Sequence, residues 1–325
     1  MSNMKAVLFG DGYWSNNIKR TLKLYFDDIE IAYIVDPVMK EDTPNITYLK
    51  NINEFNNHIL DVDLAIVCSP TITHFEIVEY LLKNKIPTLV EKPITNNLSK
   101  AEYLFSIAEK NNVVLMVDHV YLHNSSIKVI EEIIKSGDLG NIIHISFYRT
   151  NLGPIRTDVS ALWDLTTHDI SILNTFVNKK YKKITASGLT RNNNELQDMI
   201  NVSIEYENLF VTLFSSWLHP SKERIIKIVG DKKMLIFDEI NTSEKIKIYD
   251  KKIDSINELN FLKNGSYFSF AVGDIVSPFI PETDSLKNVL EVFLKNIKNN
   301  KFLEEAKNET LGILKILDEI ESVIN

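Results

Sequence analysis

Through the first 120 residues, apolar runs of strand length alternate with stretches of helical period. Lys5–Phe9, Glu30–Val35, Leu64–Cys68, Thr88–Val90 and Val113–Val117 are rich in Val, Ile and Leu, as strands buried on both faces are. Between them, Trp14–Tyr25, Thr73–Leu82 and Leu98–Asn111 carry apolar residues at helical spacing. Ser99 stands near the start of the last, with Glu102 three positions on, as in a capping box. Strand–helix–strand repetition predicts parallel strands joined by right-handed crossovers, hence an α/β doubly wound sheet.

The rhythm changes near residue 120. Ser126–Ser136 is amphipathic and runs into a turn at Gly137, Asp138 and Gly140. Longer strand candidates then follow with few helices between them: Ile142–Thr150, Lys183–Gly188, Ile200–Tyr206, Phe210–Trp217, Ile225–Val229, Met234–Asp238 and Lys245–Tyr249. Ser285–Lys298 and Leu303–Val323 have helical spacing. The pattern predicts two domains: residues 1–120, doubly wound, and residues 121–325, α+β with a mostly antiparallel open sheet.

Composition narrows the function classes. The formal charge of −8 argues against a nucleic-acid partner, although local Arg and Lys can still bind an anion. The only cysteine, Cys68, ends an apolar run and is read as core filler, which leaves no intramolecular disulfide and no cysteine-based zinc cluster. No stretch approaches the roughly 18 apolar residues of a membrane span, and the first strand is too short for a secretion signal. A cytoplasmic protein is expected.

Gly10-Asp11-Gly12-Tyr13-Trp14-Ser15 closes the first strand and opens the first helix, the context a dinucleotide fingerprint requires. Gly10 permits the tight turn, and Gly12 lets the backbone approach a pyrophosphate at the helix N-terminus. Ser15 replaces the third glycine with another small residue. Asp36 closes the second strand, where a carboxylate accepts the adenosine ribose hydroxyls and repels a 2′-phosphate, so NAD is expected over NADP. Lys40 lies close enough to leave NADP open.

Three further segments stand in order along the chain: Val67-Cys68-Ser69-Pro70-Thr71-Ile72-Thr73-His74, Leu89-Val90-Glu91-Lys92-Pro93 and Trp163-Asp164-Leu165-Thr166-Thr167-His168-Asp169. With the Gly10–Ser15 turn, this order resembles the glucose–fructose oxidoreductase / inositol dehydrogenase / MocA (Gfo/Idh/MocA) family over essentially the whole chain. The family carries small residues where Ser15 and Asp118 stand here. The resemblance implies a Rossmann domain binding NAD through Gly10–Ser15, Asp36, Ser69, Pro70, Thr71, His74, Glu91, Lys92, Pro93 and His119. It makes Lys92 a polarising or proton-relay group, His168 the acid/base, and Asp164 a support to both.

The residues themselves agree with that chemistry. Glu91, Lys92 and Pro93 leave the carboxyl end of a strand, where open α/β sheets bind ligands. Asp164 and His168 share one face if a helix runs through them, and an imidazole titrates near working pH. A lone His–Asp pair lacks the further ligands of a metal site, so no metal is expected. Arg149, Arg156, Lys222 and Arg224 are candidates for a phosphate or carboxylate, and Trp163 or Trp217 for stacking on a sugar or base. The segments 151–168 and 217–224 resemble the branch acting on nucleotide-linked amino sugars, of the UDP-N-acetylglucosamine 3-dehydrogenase type. Free inositol or hexose is the alternative substrate, and a non-catalytic NAD-binding sensor or scaffold the alternative class. The strand-rich second half leaves one sheet face poorly covered, which predicts a homodimer or homotetramer.

Overall fold

The computed structural model describes residues 3–38, 40–191, 196–256, 268–299 and 302–324. Its backbone contacts divide the chain into two units, one of residues 1–123 and 283–318, the other of residues 124–282 and 319–325.

In the first unit β1 (Met4–Phe9), β2 (Ile29–Val35), β3 (Thr47–Leu49), β4 (Leu64–Val67), β5 (Thr88–Glu91) and β6 (Leu115–Asp118) form a parallel sheet. Its order is β3-β2-β1-β4-β5-β6, as doubly wound crossovers dictate. The helices are α1 (Tyr13–Tyr25), the single turn α2 (Ile52–Phe55), α3 (Thr71–Lys83) and α4 (Leu98–Asn111). Alternate strand residues face opposite ways. Ala6, Leu8, Ile34, Leu64, Ile66, Leu89, Val114 and Met116 share one core with Ile18 and Leu22 of α1. Phe9 points to the other face, edge-on to Phe55 at 5.5 Å. The helix α4 is capped by Asn97, whose side chain accepts from the Lys100 N–H, so the expected Ser99 lies two residues inside the cap. The unpredicted β3 is a three-residue edge strand between polar flanks, too short to show a period.

One expectation is corrected. Ser285–Asn299, here α7, was placed with the second domain, yet Leu286, Val289, Leu290, Phe293 and Leu294 complete the core of the first. A parallel sheet needs cover on both faces, and α1 with the loops beside it leaves part of one face bare. The last helix, α8 (Glu304–Ile324), counts with the first unit through Asp318 and with the second from Glu319.

The second unit opens with α5 (Ser125–Lys135) and continues through β7 (Ile142–Leu152), a five-residue π turn (Leu162–Thr166) and α6 (Thr167–Phe176). Then come β8 (Lys183–Leu189), β9 (Met199–Tyr206), β10 (Leu209–Ser216), β11 (Leu218–Gly230), β12 (Met234–Asp238), β13 (Ile246–Ile256) and β14 (Phe268–Val276). The sheet order is β14-β13-β12-β11-β7-β10-β9-β8, antiparallel except where β10 pairs with β7. The strand β14 was not predicted, because Gly273 and Asp274 interrupt its alternation. The segment 218–224, outside the predicted strands, is the first half of β11: Arg224 pairs with Arg149 in register, and Thr150 Oγ1 donates to the Ser221 carbonyl at 2.9 Å.

Register puts Ile145, Phe147, Val202, Ile204, Val211, Leu213, Ile226, Ile228, Leu235 and Phe237 on one buried face. The other face carries Tyr148, Phe210 and Phe214, with Tyr148 38% and Phe210 41% exposed and Lys227 over the Tyr148 ring. Beyond it, the edge strand β14 and the segment after it expose Val272, Ile275, Val276 and Phe279.

Two expected outcomes follow from this packing. Phe293→Ala, in a side chain with no exposed surface, should cost about 3–5 kcal/mol and melt the first unit, although the residue lies far along the chain from β6, its last strand. An unchanged thermal midpoint would remove α7 from that core. The half-exposed sheet face should self-associate: light scattering at micromolar concentration should give a dimer or tetramer, and Tyr148→Glu with Phe210→Glu should lower the assembly without unfolding it. A monomer before mutation contradicts this.

Candidate active site

The Gly10 turn is built by close approach. Gly10 has φ +93°, and a Cβ there would stand 2.8 Å from the Ser69 nitrogen at the exit of β4, so only glycine fits. Gly12 is the opposite case: a Cβ on it meets nothing within 4 Å, and as N-cap of α1 it offers no side chain to the first-turn N–H groups. Open space above uncapped amides at a helix N-terminus suits a pyrophosphate. Ser15 is fully buried at the helix–strand contact, its hydroxyl without a partner. Tyr13 is 82% exposed beside the turn.

Asp36 locks this turn to the end of β2. Its Oδ2 accepts the Asp11 N–H at 2.8 Å and its Oδ1 the Val38 N–H at 2.8 Å. Each oxygen keeps a second lone pair, which is what a ribose diol needs.

At the exits of β4, β5 and β6 the remaining cofactor candidates of this unit gather. Ser69 Oγ lies 2.7 Å from Thr73 Oγ1, Pro70 caps α3, and Thr71 is buried. The buried His74 ring places its two nitrogens 2.9 Å from the Pro93 carbonyl and 2.8 Å from the Ser69 carbonyl, tying these two exits together. Lys92 is 8% exposed, its backbone N–H donates to Glu91, and the Lys92–Pro93 peptide is cis.

Glu91 and Asp118 are register partners on neighbouring strands. Asp118 is buried and accepts the Trp14 indole N–H at 3.1 Å on Oδ2, while its Oδ1 has no partner. Burial outweighs both that bond and the Lys92 charge and pushes the carboxyl up to about 6. His119 is pushed down to about 3 by burial and by the charges of Lys92 and His123, so it is neutral at working pH. Burial, with the nearby Glu91 and Asp118 carboxylates, raises the Cys68 thiol well above its ordinary value, which suits packing better than nucleophilic attack.

In the second unit Asp164 sits in the π turn and His168 in the first turn of α6, both half-buried. A helical backbone does run through them, a π turn passing into α6, with the Asp164 N–H donating to the Ser160 carbonyl at 3.0 Å. Arg156 Nη1 reaches Asp164 Oδ1 at 3.2 Å, and the Trp217 indole donates to Oδ2 at 3.1 Å. Asp158 takes the other edge of Arg156 at 2.6 and 2.9 Å. Asp169, the residue after His168, points elsewhere, into a buried pair with Arg149 at 2.7 Å. Burial raises the Asp169 carboxyl while Arg149 pulls it back.

The candidate substrate residues divide accordingly. Arg156 and Trp217 gather at Asp164. Arg149 is 4% exposed and committed to Asp169, so it offers no open surface to a substrate anion. Trp163 is 2% exposed with its indole donating to Glu321 at 3.0 Å, a core side chain with no free face for stacking. Arg224 donates to the Thr150 and Glu223 carbonyls and to Asn151. Lys222 is exposed on β11. Sequence reasoning missed Asp158 and the Trp14–Asp118 bond, both made between residues whose separation or type carries no motif. Among the described residues no helix is long and apolar enough to cross a membrane, and no group of three or more His, Cys, Asp or Glu could hold a metal ion.

Comparison with known proteins joins the two units. Residues 4–119 match the model described as oxidoreductase family, NAD-binding Rossmann fold, and residues 127–236 match the GFO/IDH/MocA C-terminal domain. A myo-inositol dehydrogenase from Streptomyces leeuwenhoekii is 26% identical over 142 residues, 42% of this chain and 44% of that protein, so the match spans under half of the relative. UDP-N-acetylglucosamine 3-dehydrogenase from Acidithiobacillus ferrooxidans superposes with TM-score 0.76 at 17% identity, covering 100% of this chain and 98% of that one. A mutant of a 3-ketoreductase from Actinomadura kijaniata, solved with TDP-benzene and NADP, gives TM-score 0.82 at 15% identity over 99% and 98% of the two chains. At these identities the structural likenesses speak for the fold, and the two matched models, one for each half, carry the assignment: the chain belongs to the Gfo/Idh/MocA family of NAD(P)-dependent oxidoreductases.

Proposed function

We propose that the protein interconverts a hydroxyl and a ketone on a nucleotide-linked amino sugar, of the UDP-N-acetylhexosamine class, with NAD as its hydride partner. The observation that carries the reading is the fixed Asp164 carboxylate, held by Arg156 and Trp217 one helical turn before His168. A pinned carboxylate beside a titratable imidazole is equipment for moving a proton from a hydroxyl. The cofactor, when bound, supplies a nicotinamide that accepts or returns hydride.

Each residue then has a part. Lys92 polarises the oxygen of the reacting carbon or relays its proton. His168 takes the hydroxyl proton during oxidation and returns it during reduction. Asp164 orients His168 or holds the substrate. The Gly10 turn, Tyr13, Trp14, Ser69 to Thr71, His74, Glu91, Pro93 and His119 shape the cofactor side, and Asp36 receives the ribose hydroxyls. With Arg149 and Arg156 paired to carboxylates, the exposed Lys222 is the candidate cation for a diphosphate, beside Arg224, which also holds the Thr150 and Glu223 carbonyls and Asn151. Free inositol is the second reading, favoured by the inositol dehydrogenase among the relatives. Absorbance at the reduced-nicotinamide band, with NAD and either UDP-N-acetylglucosamine or myo-inositol, separates the two.

Lys92→Ala and His168→Ala should each fold, retain NAD and lose turnover by about 10² to 10⁴. The losses should be non-additive in the double variant, because both residues serve one proton transfer. Asp164→Asn should lose less. Variants that melt early but turn over normally per folded molecule would assign these residues to structure alone. For the cofactor, calorimetry should find NAD at least about tenfold tighter than NADP, and Asp36→Ala should narrow that gap. Equal affinities in the unchanged protein would end the NAD preference.

A further inference from the structure

The middle residue of the glycine turn is a carboxylate with an unusual set of neighbours. Asp11 has a side chain only 2% exposed. Lys19, one turn and a half along α1, reaches its Oδ1 at 2.5 Å. Lys40, beyond the end of β2, pairs with its Oδ2, and the Tyr48 hydroxyl from β3 approaches the same oxygen at 3.4 Å. Burial alone would raise the Asp11 carboxyl, but the two lysines hold it below its ordinary value. Through its backbone N–H, Asp11 is also the residue that Asp36 grips. Three separate parts of the chain thus send polar groups to one side chain, immediately beside the carboxylate assigned to the ribose.

We propose that Asp11 sets cofactor choice: by drawing Lys19 and Lys40 onto its own carboxylate it withholds both cations from a 2′-phosphate and so holds the protein to NAD. The inference rests on the reading of the first unit as dinucleotide-binding. Lysine is a point charge that serves a phosphate as readily as a carboxylate, so its partner decides what it can bind. Two carboxylates, Asp11 and Asp36, balance two ammonium groups around the turn. A phosphate monoester brings about −1.5 to −2 further charges. It would meet Asp36 with no cation released to receive it. Replacing Asp11 by Asn keeps the shape, removes one negative charge and frees the two lysines. Lys40, 51% exposed on a long stem, is the more able of the pair to turn outward.

The test measures dissociation constants of NAD and NADP by calorimetry for the full chain, Asp11→Asn, Lys40→Met and the double variant. Asp11→Asn should shift the NADP-to-NAD affinity ratio toward NADP by about tenfold, or about 1.4 kcal/mol. Adding Lys40→Met should reverse most of that shift. Lys40→Met alone should leave the ratio within about twofold, because Lys40 is already engaged. General damage to the turn would weaken both cofactors together and leave the ratio where it was, which counts against the proposal. If Asp11→Asn does not fold, Lys40→Met alone decides: a selective loss of NADP binding beyond about threefold shows Lys40 serving the phosphate in the unchanged protein and overturns the idea. Binding of neither cofactor by the unchanged protein is a different result, which removes the dinucleotide reading and this proposal with it.

Discussion

The core of the first unit is closed by a helix that arrives late in the chain. Six parallel strands present apolar side chains to both faces, and a parallel sheet with one face wet is not stable in water. The helix α1 covers part of that face through Ile18 and Leu22, and α7 supplies Leu286, Val289, Leu290, Phe293 and Leu294 to the same core. The chain must therefore come back to its first unit after residue 282. This constraint makes the second unit, for most of its length, an insertion between two pieces of the first. The glycine turn and the Lys92 exit are held only as firmly as the strands that present them, so helix cover from one end of the sequence supports chemistry assigned near the other.

Polar groups at the strand exits obey a harsher rule than those at the surface. Asp118, His119, His74 and Lys92 are all buried, and for three of them the departure from water has a visible response. His74 is braced between two carbonyls, His119 gives up its positive charge, and Asp118 is left with a raised carboxyl and one oxygen unpartnered. Packing alone would favour apolar residues at these positions. Buried polar groups of this kind cost stability wherever they serve only structure.

Much of this was legible in the sequence, and the reasons for the rest are local. Strands saturated with Val, Ile and Leu announced the parallel sheet, and alternation announced the second one. Period says nothing about which sheet a helix covers, so α7 was assigned by neighbourhood in sequence and not by core. The polar run 219–224 hid the first half of β11, whose hydrogen bonds come from backbone and from Thr150 and Arg224 instead of from an apolar face. Motif order singled out the glycine turn, Asp36 and Lys92 in the first unit and Asp164 and His168 in the second as candidates. Motif order cannot tell a free arginine from a committed one. Charge alone makes Arg149 and Arg156 candidates, and only three-dimensional neighbours show that Asp169, Asp158 and Asp164 already hold them.

That distinction changes what charge means in this protein. An arginine paired with an aspartate is an arm that positions, and where the pair is buried, as in Arg149–Asp169, removing one partner would leave an uncompensated charge. Arg156 does this for Asp164: with the Trp217 indole on the second oxygen, the carboxylate has little freedom left, and its remaining lone pairs have fixed directions. Asp11 does the converse, holding two lysines in place. In both places the sequence offers a count of charges that balances only when the pairs are known. Which anion either unit can receive then depends less on how many cations the chain carries than on which of them its own carboxylates have already taken.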